Sequence, residues 1–208
     1  MTVAGPSVST DAIVLVKYPP AENFQTLATF SAEHGNQRVL QRVSRKPSPH
    51  ATVLDLFDEA TLTLEGGNAG TWFLKEARVL HRFVEIGRRY DALQAASALT
   101  ALVQRNPVDE TGRPAVYQLL HDALEAFARS ERPDVVYFKA LYRFARDEGH
   151  PLKQHWFPTL PSADRQEVQQ LLNQPVAELT LPRERVTFLQ RRLEEYLRGH
   201  TEIVAESW

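Results

Sequence analysis

The run Glu65-Gly66-Gly67-Asn68-Ala69-Gly70 divides the 208-residue chain into two stretches whose apolar residues keep different periods. Before it the period is two, that of a strand, and after it about 3.6, that of a helix; one regular element cannot obey both. A domain junction is expected here, giving residues 1–70 and 71–208.

Upstream, Ile13-Val14-Leu15-Val16, the segment from Phe24 to Phe30, Arg38 to Val43, and the alternation of Leu62 and Leu64 with Thr61 and Thr63 read as strands. Pro19-Pro20, His34-Gly35-Asn36 and Pro47-Ser48-Pro49 supply the turns between them. Short strands at this spacing point to a small sheet closed on itself, because an open one would leave two unpaired edges. Downstream, Phe73, Ala77, Leu80 and Val84 share one helical face, with Thr71 as a cap and Gly87 as a stop, which predicts a helix from Trp72 to Ile86. The same spacing recurs in Val116-Leu120-Ala123-Phe127, Val135-Phe138-Tyr142-Ala145 and Val186-Leu189-Leu193-Leu197. Breakers at Asn106-Pro107, Gly112 with Pro114, Arg132-Pro133, Gly149 with Pro151, and Gln174-Pro175 cut this part into about six helices. The fold class is α+β, a small barrel followed by an all-α bundle.

With 43% hydrophobic and 24% charged residues the chain carries enough apolar material for real cores, which argues against disorder. Twenty-four basic residues against 26 acidic leave a net charge of −2, so any nucleic-acid surface has to be a local patch. The absence of cysteine removes disulfides, thiol nucleophiles and thiolate zinc sites. Met1 to Thr10 has no signal-peptide pattern and no apolar run approaches the roughly 18 residues of a spanning helix, so a cytoplasmic location without membrane contact is expected.

Charge is segregated between Gly35 and Leu54, which hold Arg38, Arg42, Arg45 and Lys46 and no acidic residue. On a strand, Arg38, Leu40, Arg42 and Ser44 share one face, so two guanidinium groups could follow phosphates while Arg45 and Lys46 extend the patch into a loop. The plainer alternative is a solubilised exposed hairpin. Tyr18, Phe24, Phe30 and Phe57 are candidate stacking residues, although aromatics at strand spacing more often build a core.

His81 with Glu85 and His121 with Glu125 stand at i, i+4, but two ligands make no catalytic zinc site and no HExxH is present; His150 and His155 fall in an expected loop. Asp55, Asp58 and Glu59 have no defined partner and read as solvated charge. There is no GxSxG elbow, and the glycines of 66–70 match neither a phosphate loop nor a dinucleotide fingerprint. The chain reads as a non-enzyme without cofactor.

Ala12-Ile13-Val14-Leu15, then Tyr18 and Glu22, then Leu27-Ala28-Thr29-Phe30-Ser31-Ala32-Glu33-His34-Gly35, resembles the opening of the RecO recombination-mediator family, where this pattern begins an OB-fold. Gln37 to Lys46 stands where the family has a strand and a basic loop, here without the usual glycine. Phe73-Leu74-Lys75-Glu76-Ala77, Tyr117-Gln118-Leu119-Leu120, Phe138 to Arg146 followed by Gly149-His150-Pro151, and Leu193 to His200 are similar to the family's helical domain. After Pro151 many members carry a four-cysteine zinc module, whereas this chain continues through Trp156-Phe157-Pro158, so zinc is expected to be absent.

The resemblance implies an OB-like barrel and a helical domain that bind single- and double-stranded DNA, promote annealing, and help load a recombinase onto strands coated by single-strand-binding protein. Arg38, Arg42, Arg45 and Lys46 would neutralise phosphates, with Lys17 an addition to the set. It also implies contact with a RecR mediator and with the acidic, apolar tail of single-strand-binding protein. Such a tail needs an apolar groove with a basic rim, for which Lys139, Arg143 and Arg146, on one helix face, are the candidates. The competing function is a helical protein-interaction adaptor that binds no nucleic acid.

Overall fold

A computed structural model describes residues 6–43, 52–67 and 70–205. Five strands form a closed ring in the order β1-β2-β3-β5-β4, with β4 returning to β1. They are β1 (Ser7–Lys17), β2 (Phe24–Ser31), β3 (Gly35–Arg42), β4 (Glu59–Gly66) and β5 (Thr71–His81). All pairs are antiparallel except β3 with β5, which run parallel through Arg38–Thr71, Val39–Trp72 and Leu40–Phe73. This OB-like barrel encloses a core of Ala12, Val14, Leu27, Val39, Leu54, Ala60, Leu62 and Leu64, with Trp72, Leu74, Ala77 and Val79 packed against it.

The helix expected from Trp72 to Ile86 is a correction: the segment is the fifth strand. Along β5 the pairing with β4 slips twice, Thr63–Glu76 being followed by Leu64–Leu74, and Glu59–His81 by Ala60–Val79. Lys75 and Leu80 are the extra residues of two bulges. The core-facing residues are Trp72, Leu74, Ala77 and Val79, the bulge at Lys75 widening one interval of two to three, so of the Phe73, Ala77 and Leu80 that stand at helical spacing in the sequence only Ala77 faces the barrel core. Closure decides between the two readings, since without β5 both β3 and β4 would keep a bare edge. The junction expected after Gly70 therefore falls between two strands of one barrel.

The chain divides instead into two compact units, Met1–Phe83 with Pro107–Gln118, and Val84–Asn106 with Leu119–Trp208. Segment 107–118 is tied to the barrel by Arg113, whose Nη1 donates to the Glu33 carbonyl at 3.0 Å, and by Tyr117, whose hydroxyl donates to Glu59 Oε1 at 2.7 Å. Gly35 turns the chain from β2 into β3 at φ 66°, where a side chain would be strained.

The helical unit contains α1 (Tyr90–Arg105), most of α2 (Arg113–Arg129), α3 (Pro133–Asp147), α4 (Leu152–His155), α5 (Ser162–Asn173) and α6 (Arg183–His200). Central α3 is buried nearly all round and packs against α1, α5 and α6. Pro133 opens it at the first turn, where a missing N–H costs nothing. The α1 face, Ala92, Ala95, Ala96, Leu99 and Val103, is built largely of alanines and has no counterpart in the periodic stripes read from the sequence. Arg132 ties the turn before α6 to α3, donating to the Leu179 and Leu181 carbonyls at 3.2 and 2.8 Å and to both carboxylate oxygens of Asp134. After Pro151, Trp156 is buried, with its ring 5.8 Å from Phe157 and 6.4 Å from Tyr196. Among the described residues no helix is long and apolar enough to cross a membrane.

Candidate nucleic-acid interface

Strand β3 alternates strictly: Gly35, Gln37, Val39 and Gln41 are buried, whereas Asn36, Arg38 and Arg42 are exposed and Leu40 half-buried between the two arginines. Arg38 and Arg42 therefore stand on one outer face, four residues or about 13 Å apart along the strand. Neither has an ion-pair partner among the described residues, so both charges are available to a ligand. The register supplies their neighbours. Ala28, Thr26 and Phe24 of β2 oppose Arg38, Leu40 and Arg42, and on the other side Thr71 and Phe73 of β5 oppose Arg38 and Leu40. Phe24 and Phe73 meet edge to face with centroids 5.8 Å apart, giving the basic ridge a half-buried aromatic flank.

Of the other residues expected at this surface, Arg45 and Lys46 lie outside the described residues. Lys17 is not brought to the ridge as a free charge, because its ammonium is bonded to Asp55 Oδ1 at 3.0 Å. Partial burial raises the pKa of Asp55, but the Lys17 hydrogen bond, the Leu56 amide and the Lys17 and Arg82 charges outweigh it and hold the carboxyl below its ordinary value. Phe30 and Phe57 are core residues at 0 and 4% exposure, while Tyr18, at 40% in the β1–β2 loop, is open to solvent.

Two charge readings are corrected. Asp58 and Glu59 are buried rather than solvated. Asp58 Oδ2 accepts the Asp55 amide at 2.9 Å, and burial pushes its carboxyl above the usual range against the pull of that amide and of Arg82. Glu59 accepts the Tyr117 hydroxyl and faces His81 Nδ1 at 2.8 Å, its cross-strand neighbour. His81 belongs to a strand, so it has no i, i+4 relation to Glu85. Burial first, then the Glu59 hydrogen bond and charge, drives the Tyr117 phenol strongly upward, so it stays a donor. Glu125, the expected neighbour of His121, pairs with Arg129 at 2.6 Å.

The helical unit carries a second site. Lys139, Arg143 and Arg146, one face of α3, line a groove of about 570 Å³ together with Lys153 of α4, and Tyr142, Phe157 and Leu172 supply apolar surface there. The four cations have no carboxylate among the residues lining the groove. Lys139 Nζ donates to the Gln174 carbonyl at 2.5 Å, and burial lowers its pKa. Arg143 reaches Asp122 at 3.3 Å and Asp147 at 3.5 Å, and Arg146 holds Asp147 at 2.6 Å. Lys153 has no ion-pair partner among the described residues. Its role is missing from the sequence reading because its helix has only four residues, too few for a periodic face. No protein-family model and no curated protein matches the chain.

Proposed function

We propose that this protein is a non-catalytic mediator of DNA repair and recombination of the RecO kind, acting in the cytoplasm on the nucleoid. It binds single- and double-stranded DNA on the outer face of its barrel, promotes strand annealing, and helps load a recombinase onto strands coated by single-strand-binding protein. The observation that carries this reading is the Arg38–Leu40–Arg42 ridge of β3, two exposed guanidinium groups without ion-pair partners among the described residues. The ridge lies on the β2–β3 face that OB-folds use for oligonucleotides. Guanidinium groups that meet phosphates rather than base edges give affinity independent of sequence and steeply dependent on salt. Fluorescence anisotropy of labelled single- and double-stranded DNA, at two salt concentrations, tests it with wild type and Arg38→Ala/Arg42→Ala. Absence of wild-type binding at low salt overturns it.

The groove supports the partner side of the proposal. An acidic peptide with apolar side chains, such as the tail of single-strand-binding protein, would set its carboxylates against Lys139, Arg143, Arg146 and Lys153 and its apolar groups on Tyr142, Phe157 and Leu172. Leu172→Glu and Lys153→Glu are expected to abolish binding of such a peptide and to leave DNA binding intact. A RecR-like mediator is the other expected partner. The same groove favours a second reading, the adaptor without nucleic-acid binding; peptide binding in the absence of any DNA binding would select it.

A further inference from the structure

We infer that a cleft at the end of the barrel beside Arg42 accepts one unstacked nucleobase of the bound strand and reads its ring N–H groups through Gln41 and Glu76. The inference rests on the DNA-binding reading and deepens it, because it makes the preferred ligand a single strand.

The cleft, of about 400 Å³, lies between the end of β3 and the middle of β5. That is within the range of small-ligand sites, roughly 300–1,000 Å³. Leu74 and Ala77 give it apolar walls, and the bulge at Lys75 lies along it. Its polar groups are unevenly distributed. The exposed cations are Arg42, which belongs to the phosphate ridge, and Lys75, which is bonded to Glu65. Of the remaining polar residues, Gln41 and Glu76 offer acceptors. Gln41 is buried, its amide nitrogen donates to the Thr52 carbonyl at 2.8 Å, and its Oε1 has no hydrogen-bond partner among the described residues. Glu76 is exposed and has no ion-pair partner among the described residues. A buried carbonyl left without a donor is uncommon in folded proteins.

A ligand complementary to this arrangement carries an anion outside, a flat apolar body, and N–H donors inside. A nucleotide within a strand has all three: its phosphate faces Arg42, its ring lies against Leu74 and Ala77, and its Watson–Crick edge donates to Gln41 Oε1 or the Glu76 carboxylate. In a duplex that edge is already paired, so only a single strand can enter without the cost of unpairing. The cleft and the ridge share Arg42, so one strand can occupy both.

The test uses the full-length protein and two fluorescent probes of equal length and charge, oligo(dT) and oligo(N3-methyl-dT), the second lacking the ring N–H. Wild type is expected to bind the first about 5-fold more tightly, the worth of one net hydrogen bond. Gln41→Leu and Glu76→Ala are expected to reduce that ratio toward one without changing the salt dependence. Gln41→Leu removes the unpartnered carbonyl together with the amide that donates to Thr52, keeps a similar volume, and circular dichroism checks that it folds. A wild-type ratio near one, or a ratio of about 5 that persists in both variants, overturns the base site while leaving the phosphate ridge standing. Failure of both probes to bind at low salt overturns the DNA-binding reading itself.

Discussion

Replacing Arg38 and Arg42 together by alanine removes two exposed guanidinium groups from one face of β3. Each phosphate neutralised on a single strand contributes about 0.7 to the slope of log affinity against log salt, so the double variant should lose about 1.4 from that slope. Referred to 1 M salt, the loss is about 25-fold at 0.1 M, near 1.9 kcal/mol, and only about 5-fold at 0.3 M. The full contribution of each arginine is expected because neither has a competing carboxylate partner among the described residues. Lys17→Ala, which removes a cation already held by Asp55, should leave the slope nearly unchanged. Both substitutions at exposed arginines should alter stability by no more than about 0.5 kcal/mol, so a urea titration separates binding from folding. Anisotropy of a labelled single strand at four or more salt concentrations is the assay. A loss of affinity that is the same at every salt concentration, or no loss, refutes the assignment of these two groups to phosphates.

Three further outcomes follow from the packing. Gly35→Ala places a Cβ at φ 66° and 3.0 Å from Arg113 Nε, and denaturant unfolding should register a destabilisation of about 1–2 kcal/mol. Arg132→Met frees the Leu179 and Leu181 carbonyls and leaves the Asp134 carboxylate alone in a largely buried setting, at a cost of about 2–4 kcal/mol; a second Asp134→Asn change should recover part of it. Asp58 has a pKa raised chiefly by burial, so the native state holds its proton more firmly than the unfolded chain does. Its stabilising contribution is complete below the unfolded value near 3.8 and is lost as pH rises through the native value. The stability of Asp58→Asn relative to wild type should therefore grow between acidic and neutral pH in urea titrations, and a flat difference would refute this.

Four strands of the barrel, the turn at Gly35 and the outward alignment of Arg38 with Arg42 follow from alternation and turn chemistry, which are local properties of the chain. The fifth strand does not, because its bulges at Lys75 and Leu80 respond to its partner β4, and because Phe73, Ala77 and Leu80 stand at helical spacing although only Ala77 of the three faces the core. Helix α1 has too little contrast in hydrophobicity to stand out, since alanine serves a buried face and an exposed one alike. The groove was half legible: i, i+4 and i+7 spacing aligns Lys139, Arg143 and Arg146, but Lys153, Phe157 and Leu172 arrive from elements that only tertiary packing brings alongside. Asp58 and Glu59 look solvated in the sequence because their partners, Arg82, His81 and Tyr117, are distant along the chain.

The barrel unit is interleaved with the helical one along the chain, since Pro107–Gln118 returns to it after α1 has begun the other. A ribosome must therefore deliver more than half of the polypeptide before the first unit has all its parts, and Glu59 waits for the Tyr117 hydroxyl through that interval. No single cut releases an intact barrel. A fragment ending at Phe83 lacks the donors of Tyr117 and Arg113, while one extended to Gln118 carries α1 with an apolar face stripped of its partner α3. Division of labour between the two units has to be probed by point substitution in the whole chain.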